Sequence, residues 1–321
     1  MLRATDPVPD GYDARIPHCI ASAEKAMGFM FNIRLLSLIF LVFSLVFPAG
    51  TAAGEAGIQP AQVPDRTKLG VFSWQRENAS DNEAADRMFE TLLQVGANEV
   101  YQYMDSKASD YFFQRAKELQ IAVYVLAGQP EWGLDTNAKQ MINEVGFTAE
   151  LMARMGGAGP AGLMLDVEPY LTKAYKKNRE QTMEGFLEAM RKTYASAQEA
   201  GVPLVLCIPH FYDTKGHIDE LNALIEEASD AVAVMNYQKK DESGQIQTEM
   251  DAARRAGKRL IHIYELQRPG LHDLTENNTY NLDGLPAVWD SRDNLLAAFD
   301  YKGLSFALHD LTALREVLGR E

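Results

Sequence analysis

The chain contains few cysteines for its length. Among 321 residues, only Cys19 and Cys207 occur. Cys19 precedes a predicted export signal, so we expect the mature chain to keep Cys207 alone. One cysteine excludes an intrachain disulfide framework. Cys207 stands in an apolar run and is expected to act as a small buried hydrophobic side chain.

Positively charged residues are outnumbered by negatively charged ones, and the formal net charge is -14. No Lys/Arg stripe stands out along the sequence. The acidic balance argues against the phosphate backbone of a nucleic acid as a partner. Metal-ligand spacing of His, Cys, Asp and Glu is absent as well, so we expect no metal and no cofactor.

No apolar run reaches the ~20 residues that a membrane-spanning helix needs. The longest, Leu35 to Phe47, follows Arg34 and precedes small residues, the layout of a secretory signal. We therefore predict a leader over 1–53, a linker over 54–67 and a folded domain over 68–321. The expected location is periplasmic or extracellular. An uncleaved membrane anchor is the alternative.

After the linker, short apolar runs alternate with longer amphipathic segments. The runs are Leu69 to Trp74, Glu99 to Tyr103, Ala122 to Ala127, Gly162 to Val167, Leu204 to Ile208, Ala231 to Met235, Leu260 to Tyr264 and Leu304 to Leu308. This alternation predicts a parallel sheet, and eight units match an α/β fold of the single (β/α)8 TIM-barrel type. A doubly wound sheet would usually carry a Gly-rich phosphate loop after the first strand, and Ser73–Arg76 offers none.

The stretch Gly162–Tyr170 carries the most informative polar residues. It is an apolar run that ends in Asp166 and Glu168. Because side chains alternate along a strand, both carboxylates are expected on one face. Charged groups at the end of a buried strand are costly unless partnered, so they mark a candidate catalytic site.

In barrels of this type, active sites lie at the carboxyl ends of the strands. Those ends are rich in aromatic, amide and acidic side chains, which suit a carbohydrate cleft because aromatic faces stack on sugar rings. The candidate substrate-binding residues are Trp74, Tyr101, Gln129, Trp132, Tyr170, His210, Tyr212, Asn236 and His309. An oligosaccharide or polysaccharide is the expected partner, and a membrane is expected only through an uncleaved leader.

Two of these strand endings resemble the chitinase-like (family 18) glycoside hydrolases. The stretch Ala161–Glu168 resembles the family's strand-four signature Asp-Gly-x-Asp-x-Asp-x-Glu, and Met235–Gln238 resembles its strand-six Met-x-Tyr-Asp. The resemblance implies that Glu168 is the general acid/base, that Asp166 stabilises the substrate's acetamido nucleophile and that Tyr237 hydrogen-bonds it. The chain is also similar to a group of exported bacterial barrel proteins of the same superfamily.

The sequence departs from that pattern at several positions. Ala161 and Met164 replace the first two signature aspartates, and Gln238 replaces the Asp after Tyr237. Two alternatives therefore stay open beside a family-18-like mechanism. In one, Glu168 and Glu265 form the carboxylate pair of a retaining glycosidase. In the other, the barrel binds carbohydrate without cleaving it.

Overall fold

Eight parallel strands close into a barrel. The computed structural model describes residues 68–319, so the predicted leader and linker lie outside the described residues. Each strand pairs with the next, and the first pairs with the eighth. The strands are β1 Leu69–Ser73, β2 Glu99–Tyr103, β3 Ala122–Ala127, β4 Gly162–Leu165, β5 Leu204–Pro209, β6 Ala231–Met235, β7 Arg259–Glu265 and β8 Leu304–His309. The predicted (β/α)8 barrel is confirmed.

Helices follow the strands in the chain. They are α1 Glu77–Ser80, α2 Asn82–Gln94, α3 Asp110–Glu118, α4 Lys139–Met155, α5 Lys173–Lys177, α6 Arg179–Ala200, α7 Ile218–Glu227, α8 Glu242–Gln245, α9 Gln247–Ala256, α10 Gly284–Phe299 and α11 Leu311–Val317. Short 3-10 turns lie at Pro130–Leu134, Gly156–Ala158 and Pro169–Leu171. Within residues 68–319, no helix combines the length and apolar character that crossing a membrane requires.

Local sequence signals explain where several helices begin and end. The Asp81 side chain accepts a hydrogen bond from the backbone N–H of Ala84 at the start of α2. Gly201 ends α6 with a φ of 67°, and Gly257 ends α9 with a φ of 65°. A left-handed cap of this kind suits glycine, which has no Cβ to clash. Those two helix ends follow the sequence pattern directly.

The barrel interior is filled by large side chains on one side and small ones on the other. Phe72, Tyr101 and Tyr124 project inward from β1, β2 and β3, whereas β6 contributes Ala231 and Ala233. The aromatic rings of Phe72 and Tyr101 lie 5.0 Å apart, centroid to centroid. Pairing bulky with small residues lets the interior reach the packing density of a core. The barrel is therefore solid below its mouth.

A buried ion pair occupies the interior at the amino-terminal end of the strands. Arg259 Nη1 donates to Glu99 Oε1 at 2.7 Å, and Arg259 Nη2 contacts the Tyr101 hydroxyl at 3.2 Å. The Tyr101 hydroxyl itself donates to Glu99 Oε2 at 2.9 Å. Because the charges are paired and hydrogen-bonded, their burial is compensated. The polar groups at this end of the barrel therefore bind one another and stabilise the fold.

Candidate active site

The strand β4 directs its two carboxylates into the mouth of the barrel. Met164 packs in the interior cluster, whereas Leu165 and Val167 pack in the outer core between sheet and helices. The alternation places Asp166 and Glu168 on the inner side with Met164. Regular pairing ends at Leu165, and the Asp166 backbone N–H makes one further bond to the Ala127 carbonyl. This part of the sequence prediction agrees with the structure.

A glycine in the neighbouring segment makes room for this turn of the chain. A Cβ placed on Gly128 would overlap the backbone carbonyl of Asp166. Gly128 directly follows β3, whose last residue Ala127 binds Asp166. The missing side chain thus allows two backbones to approach closely where the Asp166 carboxylate emerges.

Glu168 is held by a tyrosine two residues further along. The Tyr170 hydroxyl donates a hydrogen bond to Glu168 Oε2. Burial raises the pKa of Glu168, while the Tyr170 hydrogen bond and the nearby His309 oppose that rise. Tyr170 therefore fixes the orientation of the carboxylate and stabilises its anion.

Asp166 binds a proton more tightly than an exposed aspartate does. Burial raises its pKa, and the charge of Glu168 raises it further, to about 7. His309 and the Cys207 thiol act in the opposite direction. Asp166 Oδ1 is buried and has no hydrogen-bond partner among residues 68–319. An unpartnered buried oxygen at this position can accept a bond from a ligand.

The ends of β7 and β8 contribute a second acid and a histidine. Glu265 is 2% exposed, and both of its carboxylate oxygens are occupied. Oε1 accepts from the Gln267 backbone N–H at 2.7 Å, and Oε2 lies 3.0 Å from His309 Nδ1. On the other side of the ring, Trp74 Nε1 donates to His309 Nε2 at 3.2 Å. Glu265, His309 and Trp74 thus form a continuous chain across the mouth.

Tyr237 lies at the centre of these groups. Burial raises its pKa well above the ordinary value, and the charges of Glu265, Asp166 and Glu168 add to the effect. Its ring centroid lies 6.2 Å from that of His309. The structure therefore brings together the four predicted catalytic residues, Asp166, Glu168, Tyr237 and Glu265, with Trp74, Tyr170 and His309 around them.

Three predicted substrate-binding residues do not reach the mouth. Tyr101 is fully buried and its hydroxyl binds Glu99, one layer deeper in the barrel. Tyr212 is 1% exposed and packs edge-on beneath Tyr170, with ring centroids 6.1 Å apart. Asn236 precedes the inward-facing Tyr237, so its side chain points outward, where Nδ2 lies 3.4 Å from His262 Nε2. These side chains belong to the core.

Three others lie outside the barrel mouth or at its edge. Trp132 packs against the outer core from the 3-10 turn Pro130–Leu134, and Gln129 is exposed just before that turn. His210 Nδ1 lies 3.2 Å from the Met235 carbonyl, and burial lowers the pKa of this histidine. These contacts are with the scaffold, and none joins the carboxylate cluster.

Two side chains near the site were not among the predicted site residues. Tyr103 shares the inward face of β2 with Glu99 and Tyr101, and it is partly exposed at the strand end. Cys207 is buried in the interior cluster as predicted, and its thiol also lowers the pKa of Asp166. Period-two alternation gave the face of each residue. How deep a residue lies along the barrel axis depends on the register of the neighbouring strands, which alternation does not predict.

In the part of the chain that the structure describes, no three His, Cys, Asp or Glu side chains are grouped so that they could hold a metal ion. The residues at the mouth support proton transfer and charge stabilisation through carboxylates, a tyrosine and a histidine.

Comparisons with known proteins support the fold. No protein-family profile matches the chain, and no curated protein matches it. A structure from Bacteroides thetaiotaomicron assigned as an α-L-fucosidase is similar, with a TM-score of 0.52 and 12% identity over 85% of this chain and 100% of that chain.

Two further glycoside hydrolases match more loosely. The glycoside hydrolase domain of PelA from Pseudomonas aeruginosa has a TM-score of 0.42 and 14% identity over 77% of this chain and 96% of that chain. A GH18 chitinase from Cycas revoluta, solved with (GlcNAc)4, has a TM-score of 0.46 and 11% identity over 78% and 97%. The likeness to the fucosidase structure, at 12% identity, concerns the barrel fold alone.

Proposed function

We propose that this chain is a glycoside hydrolase that cleaves O-glycosidic bonds with Glu168 as general acid/base. One observation carries the proposal: Asp166 and Glu168 project together into the barrel mouth, and both have a raised pKa. A general acid needs a raised pKa, and burial raises the pKa of each of these two adjacent carboxylates.

The other residues take roles that their contacts suggest. Glu168 gives its proton to the leaving oxygen, and the Tyr170 hydroxyl stabilises the anion that results. Asp166 offers the unpartnered Oδ1 to the substrate or to a nucleophilic group on it. The charges of Glu265, Asp166 and Glu168 all reach Tyr237, whose hydroxyl can hydrogen-bond the reacting sugar. Trp74 supplies an aromatic face at the mouth.

The contacts of Glu265 disfavour the retaining pair Glu168 and Glu265. A carboxylate nucleophile must aim an oxygen lone pair at the anomeric carbon, and Glu265 is only 2% exposed. Both Glu265 oxygens are instead bonded, one to the Gln267 backbone and one to His309. Glu265 is better suited to positioning His309, whose charge reaches Asp166 and Glu168.

The test is a panel of aryl glycosides and polysaccharides assayed with the wild type and with Glu168→Gln. Loss of a general acid is expected to lower kcat by about 10²–10⁴-fold on a substrate with a poor leaving group. Hydrolysis that persists undiminished in Glu168→Gln would exclude Glu168 as the acid. If wild type binds sugars without cleaving any of them, the barrel is a carbohydrate-binding protein.

Export of the protein is part of the same proposal. It rests on the predicted signal within residues 1–53, which lie outside the described residues. Fractionation of cells that express the full chain checks it. We expect the protein in the periplasm or medium, shortened at its amino terminus, and an uncleaved membrane-bound chain would instead favour the anchor.

A further inference from the structure

A second cleft lies beside the candidate active site and shares Tyr170 with it. The Tyr170 hydroxyl bonds Glu168, and the rest of Tyr170 lines a cleft of about 250 Å³. The cleft is lined by Tyr170, Tyr175, Lys176, Arg179, Phe211 and Lys215. Three of these six side chains are cationic and three are aromatic, and none is acidic.

The cations are exposed and have no carboxylate partner. Within residues 68–319, Lys176, Arg179 and Lys215 take part in no ion pair. Arg179 lies over the Tyr175 ring, with its guanidinium carbon 5.8 Å from the centroid. Lys176 and Arg179 belong to Lys173–Arg179, a local basic stretch that corrects the expectation of no Lys/Arg stripe in this acidic chain.

A second basic stretch in the same chain behaves differently. In Arg254–Arg259, Arg255 pairs with Glu226 at 2.9 Å and Arg259 pairs with buried Glu99. Arg254 donates to the Phe299 carbonyl, and Lys258 Nζ donates to the Ser229 carbonyl at 2.6 Å. Those cations are all bound to groups of the protein itself. The cations of the cleft remain available to a ligand.

The aromatic side chains give the cleft a defined wall. The rings of Tyr170 and Phe211 meet edge to face, with centroids 5.1 Å apart at 82°. Tyr175 is buried, and its hydroxyl lies 3.0 Å from His217 Nε2. The partly exposed rings of Tyr170 and Phe211 are the ones that can stack on the apolar face of a sugar ring. Cations at the rim of an aromatic wall suit a ring that carries an anionic group.

We infer that this cleft is a subsite for a sugar residue bearing a negative charge, either a carboxylate or a sulfate. The inference rests on the proposed function, because the charged sugar would be a neighbour of the sugar held at Glu168. An electrostatic argument also supports the inference. A chain with a formal net charge of -14 repels an anionic glycan, so binding one requires a local cationic surface.

The test measures binding to matched pairs of oligosaccharides by calorimetry, with the full chain carrying Glu168→Gln so that no sugar is consumed. One pair is tetragalacturonate and its methyl ester. The other is a sulfated carrageenan oligosaccharide and its desulfated form. The two pairs distinguish a carboxylate from a sulfate as the group recognised.

We expect the charged member of at least one pair to bind about fivefold more tightly or better at low salt. The double substitution Lys176→Gln and Lys215→Gln should remove that preference, and 300 mM salt should weaken it. The control Lys302→Gln changes an exposed lysine in the turn before β8, at the other end of the barrel, and should keep it.

Equal binding of charged and neutral members in both pairs, or no binding of either, would overturn the inference. A preference that survives the double substitution would overturn it as well. Hydrolysis by the wild type is measured separately. A charge preference without hydrolysis would refute the proposed function and leave the subsite standing. Hydrolysis without a charge preference would refute the subsite and leave the proposed function standing.

Discussion

His309 Nδ1 lies 3.0 Å from Glu265 Oε2, and the two residues are direct partners in the pairing of β7 with β8. Burial alone would lower the pKa of His309, but the charge of Glu265 and its hydrogen bond raise it to about 9. The Trp74 N–H acts in the opposite sense, because it donates to Nε2 and only an unprotonated nitrogen accepts. The neutral ring therefore keeps the Trp74 bond and the imidazolium gives it up, whereas the charge-assisted contact to Glu265 favours the imidazolium.

Glu265→Gln should lower the pKa of His309 towards its ordinary value. The amide keeps an acceptor for Nδ1–H but removes the charge that raises the pKa. An NMR titration of His309 measures the change, and Trp74→Phe serves as a control that should raise the pKa further. A wild-type pKa at or below about 6.5 would mean that the Trp74 contact outweighs Glu265.

The same pair makes stability depend on pH. A histidine whose folded-state pKa is raised to about 9 contributes stability that is present below about pH 6.5 and lost as the pH rises through 9. We expect the wild type to lose about 1–3 kcal/mol of unfolding free energy over that window. Urea unfolding at pH 6 and pH 9.5 measures it. Glu265→Gln should show a smaller loss.

Asp166→Asn should stabilise the protein at neutral and alkaline pH while impairing catalysis. A carboxyl whose folded-state pKa is raised to about 7 contributes stability below its unfolded pKa and loses it as the pH rises through 7. The neutral amide avoids that loss, so the variant should gain about 2–4 kcal/mol over the wild type at pH 8 and little at pH 4. A variant less stable than the wild type at pH 8 would contradict the prediction.

Tyr170→Phe should shift the pH–activity profile upwards. The Tyr170 hydroxyl lowers the pKa of Glu168 by stabilising its anion, so its removal raises that pKa. Phenylalanine keeps the ring that packs on Phe211. Once a cleaved substrate is known, kcat/KM measured against pH should show the limb assigned to Glu168 at higher pH. An unchanged profile would mean that Glu168 does not set that limb.

Gly128→Ala should destabilise the fold and distort the site. Its Cβ would overlap the Asp166 carbonyl, and backbone on both sides must move to accept it. We expect a loss of at least about 2 kcal/mol in urea unfolding. The control is Gly146→Ala in α4, where a Cβ meets nothing within 4 Å and helix propensity favours alanine by up to about 1 kcal/mol. Equal effects at both positions would contradict this account.

Sequence patterns determined which face of each strand a residue occupies. Three of the predicted strands, including Glu99–Tyr103 and Ala231–Met235, coincide with the structure, and the others differ at their ends by one or two residues. The helix α4 starts only at Lys139, because the Asp135 side chain caps a turn before it by accepting from the Asn137 and Lys139 backbone. Helical periodicity does not show where a side chain competes with the helix for backbone N–H groups.

Alternation by itself therefore placed Asp166 and Glu168 side by side, because period two is a property of the extended chain. Only the closed barrel decided how deep each inward residue lies and which neighbour it meets. Tyr101 and Tyr103 share a face, yet one hydroxyl is locked to Glu99 and the other residue reaches the mouth. Closure of the barrel likewise brought Glu265 beside His309. The packing of segments that are distant in sequence placed the unpaired cations of Lys176 and Lys215 beside Tyr170.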